Sequence, residues 1–230
     1  MIPSPVPYVE AKAAMTLKSD TSPIPIKVNK PRGTIYWGGA GLNGQYINDQ
    51  TTALQEAGIR YVYAGSRSYG TGIDAARSIF SVRYRDSPVD EDWTINGMED
   101  NPSRQFNMIG YSYGSLLAAQ TANFYAHNGH IIDHLVLVGS PIDRGFLGHL
   151  RNQKNIKAVI IRDLIEYGDP IYAGISQLAL FSTGWKVIKQ MRKSESIGEG
   201  FGHFYYASAS AEGARRRRDL ARFICRHGLK

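Results

Sequence analysis

Residues 106–118 read Phe-Asn-Met-Ile-Gly-Tyr-Ser-Tyr-Gly-Ser-Leu-Leu-Ala, and this stretch decides the fold of the chain. Its apolar start predicts a buried strand, its Gly-Tyr-Ser-Tyr-Gly centre a sharp turn, and its apolar end a helix. A serine at such a corner is held above the end of a parallel sheet, where its hydroxyl is exposed as a nucleophile. A side chain at Gly110 or Gly114 would crowd the neighbouring strand and helix. The stretch therefore predicts Ser112 as a catalytic nucleophile.

Short apolar runs alternate with helical segments on both sides of this corner. We expect strands at residues 34–37, 59–64, 105–109, 135–138 and 158–161, and helices at 45–57, 73–82 and from the corner to 127. The central runs are almost unbroken apolar stretches, as in parallel strands that are covered on both faces. Alternating βα units with right-handed crossovers then predict an α/β fold: a doubly wound, mainly parallel sheet of about five or six strands with helices on both faces.

The N-terminal segment differs in composition from the rest. Prolines recur along it, at positions 3, 5, 7, 23, 25 and 31. We expect residues 1–31 to form a proline-rich arm with one edge strand near 24–28, and residues 32–230 to form a single domain. The polar stretch 83–104 is expected to be a surface excursion.

The composition limits the class of protein. Of the 230 residues, 43% are hydrophobic, as in a globular domain, and no apolar run approaches the ~20 residues that span a bilayer. The first residues lack the apolar segment of a signal peptide. We therefore expect a cytoplasmic protein, or one exported by a route that needs no signal peptide. The single Cys225 offers neither an internal disulfide nor a metal cluster.

The formal net charge is +7, and part of the excess lies in four consecutive arginines at 215–218. Leu220, Phe223 and Ile224 follow at helical spacing, so these arginines are expected on the solvated face of an amphipathic terminal helix. Basic residues are not interleaved with aromatic residues here, and no nucleic-acid partner is expected.

A serine hydroxyl needs a general base to take its proton, and a histidine oriented by a carboxylate is suited to this role. Among six histidines, His203 stands apart because it lies in a glycine-rich loop, residues 198–204, shortly before the last helix. Such a loop is free to reach over the sheet edge. We predict His203 as the base that serves Ser112.

The orienting carboxylate is expected at the carboxyl end of a strand beyond the serine strand. Asp169 fits best, because it lies in a Gly-Asp-Pro turn whose proline fixes the backbone beside the acid. The alternatives that remain open are Asp163, Asp143 and Glu166.

The oxyanion that forms during acyl transfer needs two backbone N–H donors. The first is predicted at Tyr113, which follows the serine at the helix start. The second is predicted at Gly39 or Ala40, in the glycine-rich loop after the first central strand, because that loop lets backbone amides approach a substrate closely.

Together these motifs resemble the α/β-hydrolase superfamily, on its lipase and esterase side. The matching stretches are residues 36–41, 110–114, 168–170 and 202–203, in the chain order serine, acid, histidine. The compact strand count is similar to that of cutinase-like enzymes, and small lipase-type toxins delivered between bacteria look similar too. The resemblance implies a serine hydrolase of carboxylic esters, with thioesters and amides open to the same chemistry. Hydrolysis by this chemistry is expected to need no metal or organic cofactor.

The segment between the acid and the base, residues 171–192, is rich in apolar side chains and has a basic side. Two interpretations stay open: a lid or acyl-chain wall beside the active site, or a helix that covers the sheet. The basic side is formed by Lys186, Lys189, Arg192 and Lys193. It would suit peripheral contact with an anionic membrane and favours lipid esters as substrates.

Two other functions also fit parts of the sequence. Gly39-x-Gly41-x-x-Gly44 follows a strand and precedes a helix, as in dinucleotide binding, and Arg67 would suit a 2′-phosphate, so an NADP-binding oxidoreductase is one alternative. A non-catalytic binding protein on a hydrolase-like scaffold is the other.

Overall fold

The computed structural model describes residues 8–9, 30–39, 45–65 and 95–230 of the chain. The edge strand predicted at 24–28, the helix predicted at 73–82 and most of the polar stretch 83–104 lie outside the described residues.

The centre of the molecule is a parallel sheet. Its strands are β1 (Tyr8–Val9), β2 (Gly33–Trp37), β3 (Val62–Gly65), β4 (Phe106–Tyr111), β5 (His134–Val138) and β6 (Val159–Arg162). Their order is β1-β3-β2-β4-β5-β6, and every pairing is parallel. All residues of β2 and β4 are buried, as expected for strands covered on both faces. The two-residue edge strand β1 was not predicted, because a proline-rich segment carries no apolar run to mark it.

The helices are α1 (Gln45–Glu56), α2 (Tyr113–His127), α3 (Arg144–Asn152), α4 (Gln177–Ile197) and α5 (Ala211–Arg226). Side chains of Asp143, Ser176 and Ser210 accept hydrogen bonds from backbone amides in the first turns of α3, α4 and α5, and so fix where these helices begin. None of the helices in the described ranges is both long and apolar enough to cross a bilayer.

Helices cover both faces of the sheet, which confirms the predicted doubly wound α/β fold. One core cluster joins α2 and α3 to side chains such as Met108 and Leu135. The other joins α1 and α5 to the alternate side chains, such as Ile109 and Val136. This alternation follows from the period of two along a strand.

The order of the strands places a crevice at the centre of the sheet. The chain passes from β2 outward to β3, and then continues from β4 through β5 to β6 on the other side of β2. At such a reversal the connections after neighbouring strands diverge, and ligands bind outside the carboxyl ends of these strands. Ser112 follows β4 directly, and Gly38 follows β2, so both lie at this crevice.

One prediction about the terminal arginines is wrong. Arg217 is buried rather than solvated. It is three residues before Leu220 on the covered face of α5, and it is accommodated there by hydrogen bonds. Its guanidinium donates to the carbonyls of Tyr206 (3.0 Å) and Ser208, and lies 3.2 Å from the carboxylate of Asp49 on α1. Arg217 therefore ties α5 to α1.

We predict that Arg217→Ala lowers the free energy of unfolding by about 2–4 kcal/mol, because two buried carbonyls and Asp49 lose a charged donor. The matched control is Arg218→Ala, since the neighbouring arginine is exposed and its loss should change stability by less than about 0.5 kcal/mol. Urea denaturation of both variants measures the difference. Equal stability of the two would contradict the role given to Arg217.

Candidate active site

The serine corner has an unusual backbone. Ser112 lies between the end of β4 and the start of α2 with φ 54° and ψ −123°. Few residues other than glycine adopt a positive φ, so the surrounding structure has to hold it. Part of that support is a hydrogen bond from the Ser112 amide to the carbonyl of Val138 on β5, at 2.8 Å. The side chain is half-buried.

The glycines on either side of Ser112 are needed because backbone segments meet there. A Cβ atom at Gly110 would lie 2.2 Å from the carbonyl oxygen of Gly114. A Cβ atom at Gly114 would lie 2.3 Å from the carbonyl oxygen of Trp37 and 2.5 Å from that of Gly38. The start of α2 therefore packs directly against the end of β2 and the residue that follows it.

Ser112, His203 and Asp169 form one chain of hydrogen bonds. The Ser112 Oγ lies 2.6 Å from His203 Nε2, and His203 Nδ1 lies 2.8 Å from Asp169 Oδ2. Because an ionised carboxylate can only accept, Nδ1 carries the proton and Nε2 is left to accept from the hydroxyl. The other carboxylate oxygen of Asp169 accepts from the amide of Ile171 at 2.8 Å. Asp169 and His203 are both buried.

The backbone of His203 is held on both sides. The hydroxyl of Tyr111, the last residue of β4, donates to the His203 carbonyl. Burial raises the pKa of Tyr111 well above its usual value, so the phenol stays protonated and remains a donor. On the other side, the His203 amide donates to Gln190 Oε1 at 2.9 Å. The imidazole is therefore positioned by more than its bond to Asp169.

Gln190 of α4 also connects the two loops that carry the acid and the base. Its Nε2 donates to the carbonyl of Gly168, immediately before Asp169, at 2.7 Å. Gly168 and Gly202 have positive φ values of 86° and 58°, which allow both loops to turn toward this side chain. A single carboxamide thus spans from the acid loop to the base loop.

The other candidate acids face different partners. Asp163 accepts from the amide of Ala173 at 2.9 Å, and burial raises the pKa of its carboxyl group. Asp143 caps α3 by accepting from the amide of Phe146. Glu166 pairs with Arg162 at the surface. Of the four carboxylates weighed from the sequence, the structure places Asp169 against His203.

The predicted oxyanion donors lie at the same corner, as far as they are described. Tyr113 is the first residue of α2, and the carbonyl of Gly38 contacts the next residue of that helix. The start of α2 therefore packs against Gly38, the residue before Gly39. Ala40 lies outside the described residues.

The dinucleotide pattern predicted at residues 39–44 lies mostly outside the described residues. Gly39 is described, whereas Gly41, Gly44 and Arg67 lie outside the described residues. Within the parts of the chain that the structure describes, no three His, Cys, Asp or Glu side chains are grouped so that they could hold a metal ion.

Sequence reasoning missed several residues that support the site. The Ser115 hydroxyl lies between the Ser112 carbonyl and the buried hydroxyl of Ser140, at 2.7 Å from the latter. Ser140 is the second residue after β5, and a polar residue near the carboxyl end of a strand is a signal that could have found it. Gln190 had no such signal, because nothing in the sequence shows which face of α4 meets the loops.

We predict that Gly110→Ala destabilises the protein by at least about 2 kcal/mol, since the new methyl group overlaps backbone atoms that cannot move aside cheaply. Gly148→Ala is the matched control: no atom approaches a Cβ at this α3 position within 4 Å. There the substitution should be neutral, or stabilising by about 0.5–1 kcal/mol. Thermal and urea unfolding compare the two, and a Gly110→Ala protein as stable as wild type would contradict the packing described for the corner.

A scan against models of known protein families found no match to this chain, and a search of curated proteins found no relative. The function proposed next therefore rests on the geometry of the site.

Proposed function

We propose that the protein is a serine hydrolase that cleaves carboxylic esters through an acyl-enzyme on Ser112, as its resemblance to α/β-hydrolases implies. The observation that carries the proposal is the continuous hydrogen-bonded chain from Ser112 Oγ through His203 to Asp169. Nucleophile, base and orienting group stand in the geometry that this chemistry needs. The positive φ of Ser112 at the carboxyl edge of the sheet adds support, because it presents the hydroxyl to the crevice.

Catalysis would proceed in two half-reactions. Ser112 Oγ attacks the ester carbonyl while His203 Nε2 takes the hydroxyl proton, and Asp169 stabilises the imidazolium. The tetrahedral intermediate collapses, the C–O bond to the alcohol breaks, and His203 protonates the departing alkoxide. Water then attacks the acyl-enzyme with His203 again as base, which releases the carboxylic acid and restores Ser112.

The negative charge on the tetrahedral intermediate requires donors fixed in advance. We propose the amide of Tyr113 as one and that of Gly39 or Ala40 as the other. Their support is positional: the start of α2, which follows Ser112, packs against the end of β2 and Gly38, the residue before Gly39.

Lipid esters are the proposed substrates. Their support is the character of α4, which lies between acid and base in the chain and touches both loops through Gln190. Large apolar side chains on this helix are exposed to solvent. An exposed apolar surface on the helix that binds both of these loops favours substrates with acyl chains over small polar esters.

We expect Ser112→Ala to lower the hydrolysis of p-nitrophenyl esters by about 10⁵–10⁶-fold, because no other group supplies the nucleophile. A fluorophosphonate probe should label wild type and a Ser196→Ala control, whose serine is exposed at the far end of α4, but not Ser112→Ala. Comparing short and long acyl chains separates esterase from lipase activity. Neither turnover nor labelling in the wild type would refute the ester-hydrolase proposal.

We expect Asp169→Asn to lower kcat by about 10⁴-fold, since the amide would favour the wrong tautomer of His203. Asp163→Asn is the control: it changes a carboxylate six residues away whose partner is the amide of Ala173, and it should retain most of the rate. Steady-state kinetics on one soluble ester suffices. The opposite ranking of the two variants would assign the acid role to Asp163.

A further inference from the structure

The side of α4 that faces the protein is mixed, because the half-buried side chains of Leu180 and Val187 lie on it beside polar residues. The row that faces the protein includes Thr183, Gln190 and Ser194, and the last two bind the loop around His203. Among the described residues, the two core clusters contain no side chain of α4. The helix packs chiefly against the short turn Gly202–Phe204. It therefore does not cover the sheet, which was one of the two interpretations open from the sequence.

The opposite row of α4 carries large apolar side chains in solvent. Their exposed fractions are 85% for Leu178, 61% for Phe181, 62% for Trp185 and 40% for Ile188. The spacing of three, four and three residues puts them on one stripe of the helix. A contiguous exposed patch of this kind marks a surface that meets an apolar partner.

Positive charge borders this stripe. Lys186, Lys189, Arg192 and Lys193 are all exposed, and Glu195 is the only acidic residue of the helix. Lys189 Nζ lies 5.9 Å from the centre of the Trp185 ring, so charge and apolar surface are adjacent. A protein partner with an apolar groove would explain the stripe alone. An anionic lipid surface explains both features, because acyl chains accept the apolar row and head groups attract the lysines.

We propose that the outward stripe of α4, formed by Leu178, Phe181, Trp185 and Ile188 with its basic border, docks the protein on an anionic lipid bilayer. The helix lies in the plane of the interface with its apolar row in the head-group and acyl boundary. Its inward row meanwhile holds the loops of Asp169 and His203. This docking rests on the proposed function, because the bilayer would supply the lipid esters that reach Ser112. Binding to the bilayer can nevertheless be measured without turnover.

The test is cosedimentation with vesicles of phosphatidylcholine, with and without phosphatidylglycerol, using Ser112→Ala protein so that no lipid is hydrolysed. We expect binding to the anionic vesicles, weakened by added salt. Replacing Trp185 by Ser in this background should reduce the affinity about tenfold or more, because an exposed aromatic anchor is lost. Ile131→Ser is the matched control, an exposed apolar residue near the amino end of β5, and it should leave binding unchanged.

The charge contribution is tested in the same way. Lys186→Ala and Lys189→Ala should each weaken binding to anionic vesicles about fivefold. Lys154→Ala removes an exposed lysine that lies before the amino end of β6, remote from α4, and should have little effect. The emission of Trp185, isolated by comparison with Trp185→Phe, should shift to the blue on binding.

Two results would overturn the inference. One is vesicle binding that is absent, or equal in wild type and Trp185→Ser protein. The other is an oligomer that Trp185→Ser converts to monomer without lipid, because the stripe would then be occupied by a second copy of the chain. Hydrolysis of a short soluble ester by the wild type, measured without lipid, tests the hydrolase proposal separately. Absence of vesicle binding would therefore contradict the docking but not the hydrolase proposal. Absence of ester hydrolysis would contradict the hydrolase proposal but not the docking.

Discussion

The contact between the serine corner and the end of β2 is the constraint on which the rest of the site depends. The chain reverses at Ser112 with a positive φ, and it can do so only because Gly110 and Gly114 leave room for backbone atoms. That reversal brings the start of α2 onto Trp37 and Gly38. Ser112 and the start of α2 thus derive their positions from the packing of two neighbouring parallel strands that are both fully buried.

Asp169 and His203 depend on a different kind of support. Asp169 and His203 lie in loops, where the backbone has no sheet to hold it, and both loops turn at glycines with positive φ. Side-chain hydrogen bonds hold the loop backbone instead: the hydroxyl of Tyr111 donates to the carbonyl of His203, and the amide of His203 donates to Gln190. Ser112 is thus held by the core, and His203 by polar contacts. The second kind of support is more sensitive to single substitutions, because each contact is one hydrogen bond.

Much of this arrangement could be predicted from the sequence because it is local. Apolar runs mark buried parallel strands, and the glycine spacing around Ser112 marks a sharp turn, so the parallel sheet and the corner follow from general rules. The pairing of Asp169 with His203 was favoured but not separated from Asp163, since the choice depends on where a loop folds after β6. The burial of Arg217 was not predicted, because a charged side chain is expected to be exposed unless its partners are known. These partners lie on α1 and in the loop before α5. Gln190 was missed for a similar reason.

Because the carboxamide of Gln190 binds both loops, the inner face of α4 has a structural role that its outer face does not share. Its outer row can be rewritten, residue by residue, without touching the loops of the acid and the base. The whole helix cannot be deleted or exchanged for another without releasing the amide of His203 and the carbonyl of Gly168. A redesign of this protein for a new surface or substrate should therefore change only the outer row of α4 and keep the contacts of Gln190.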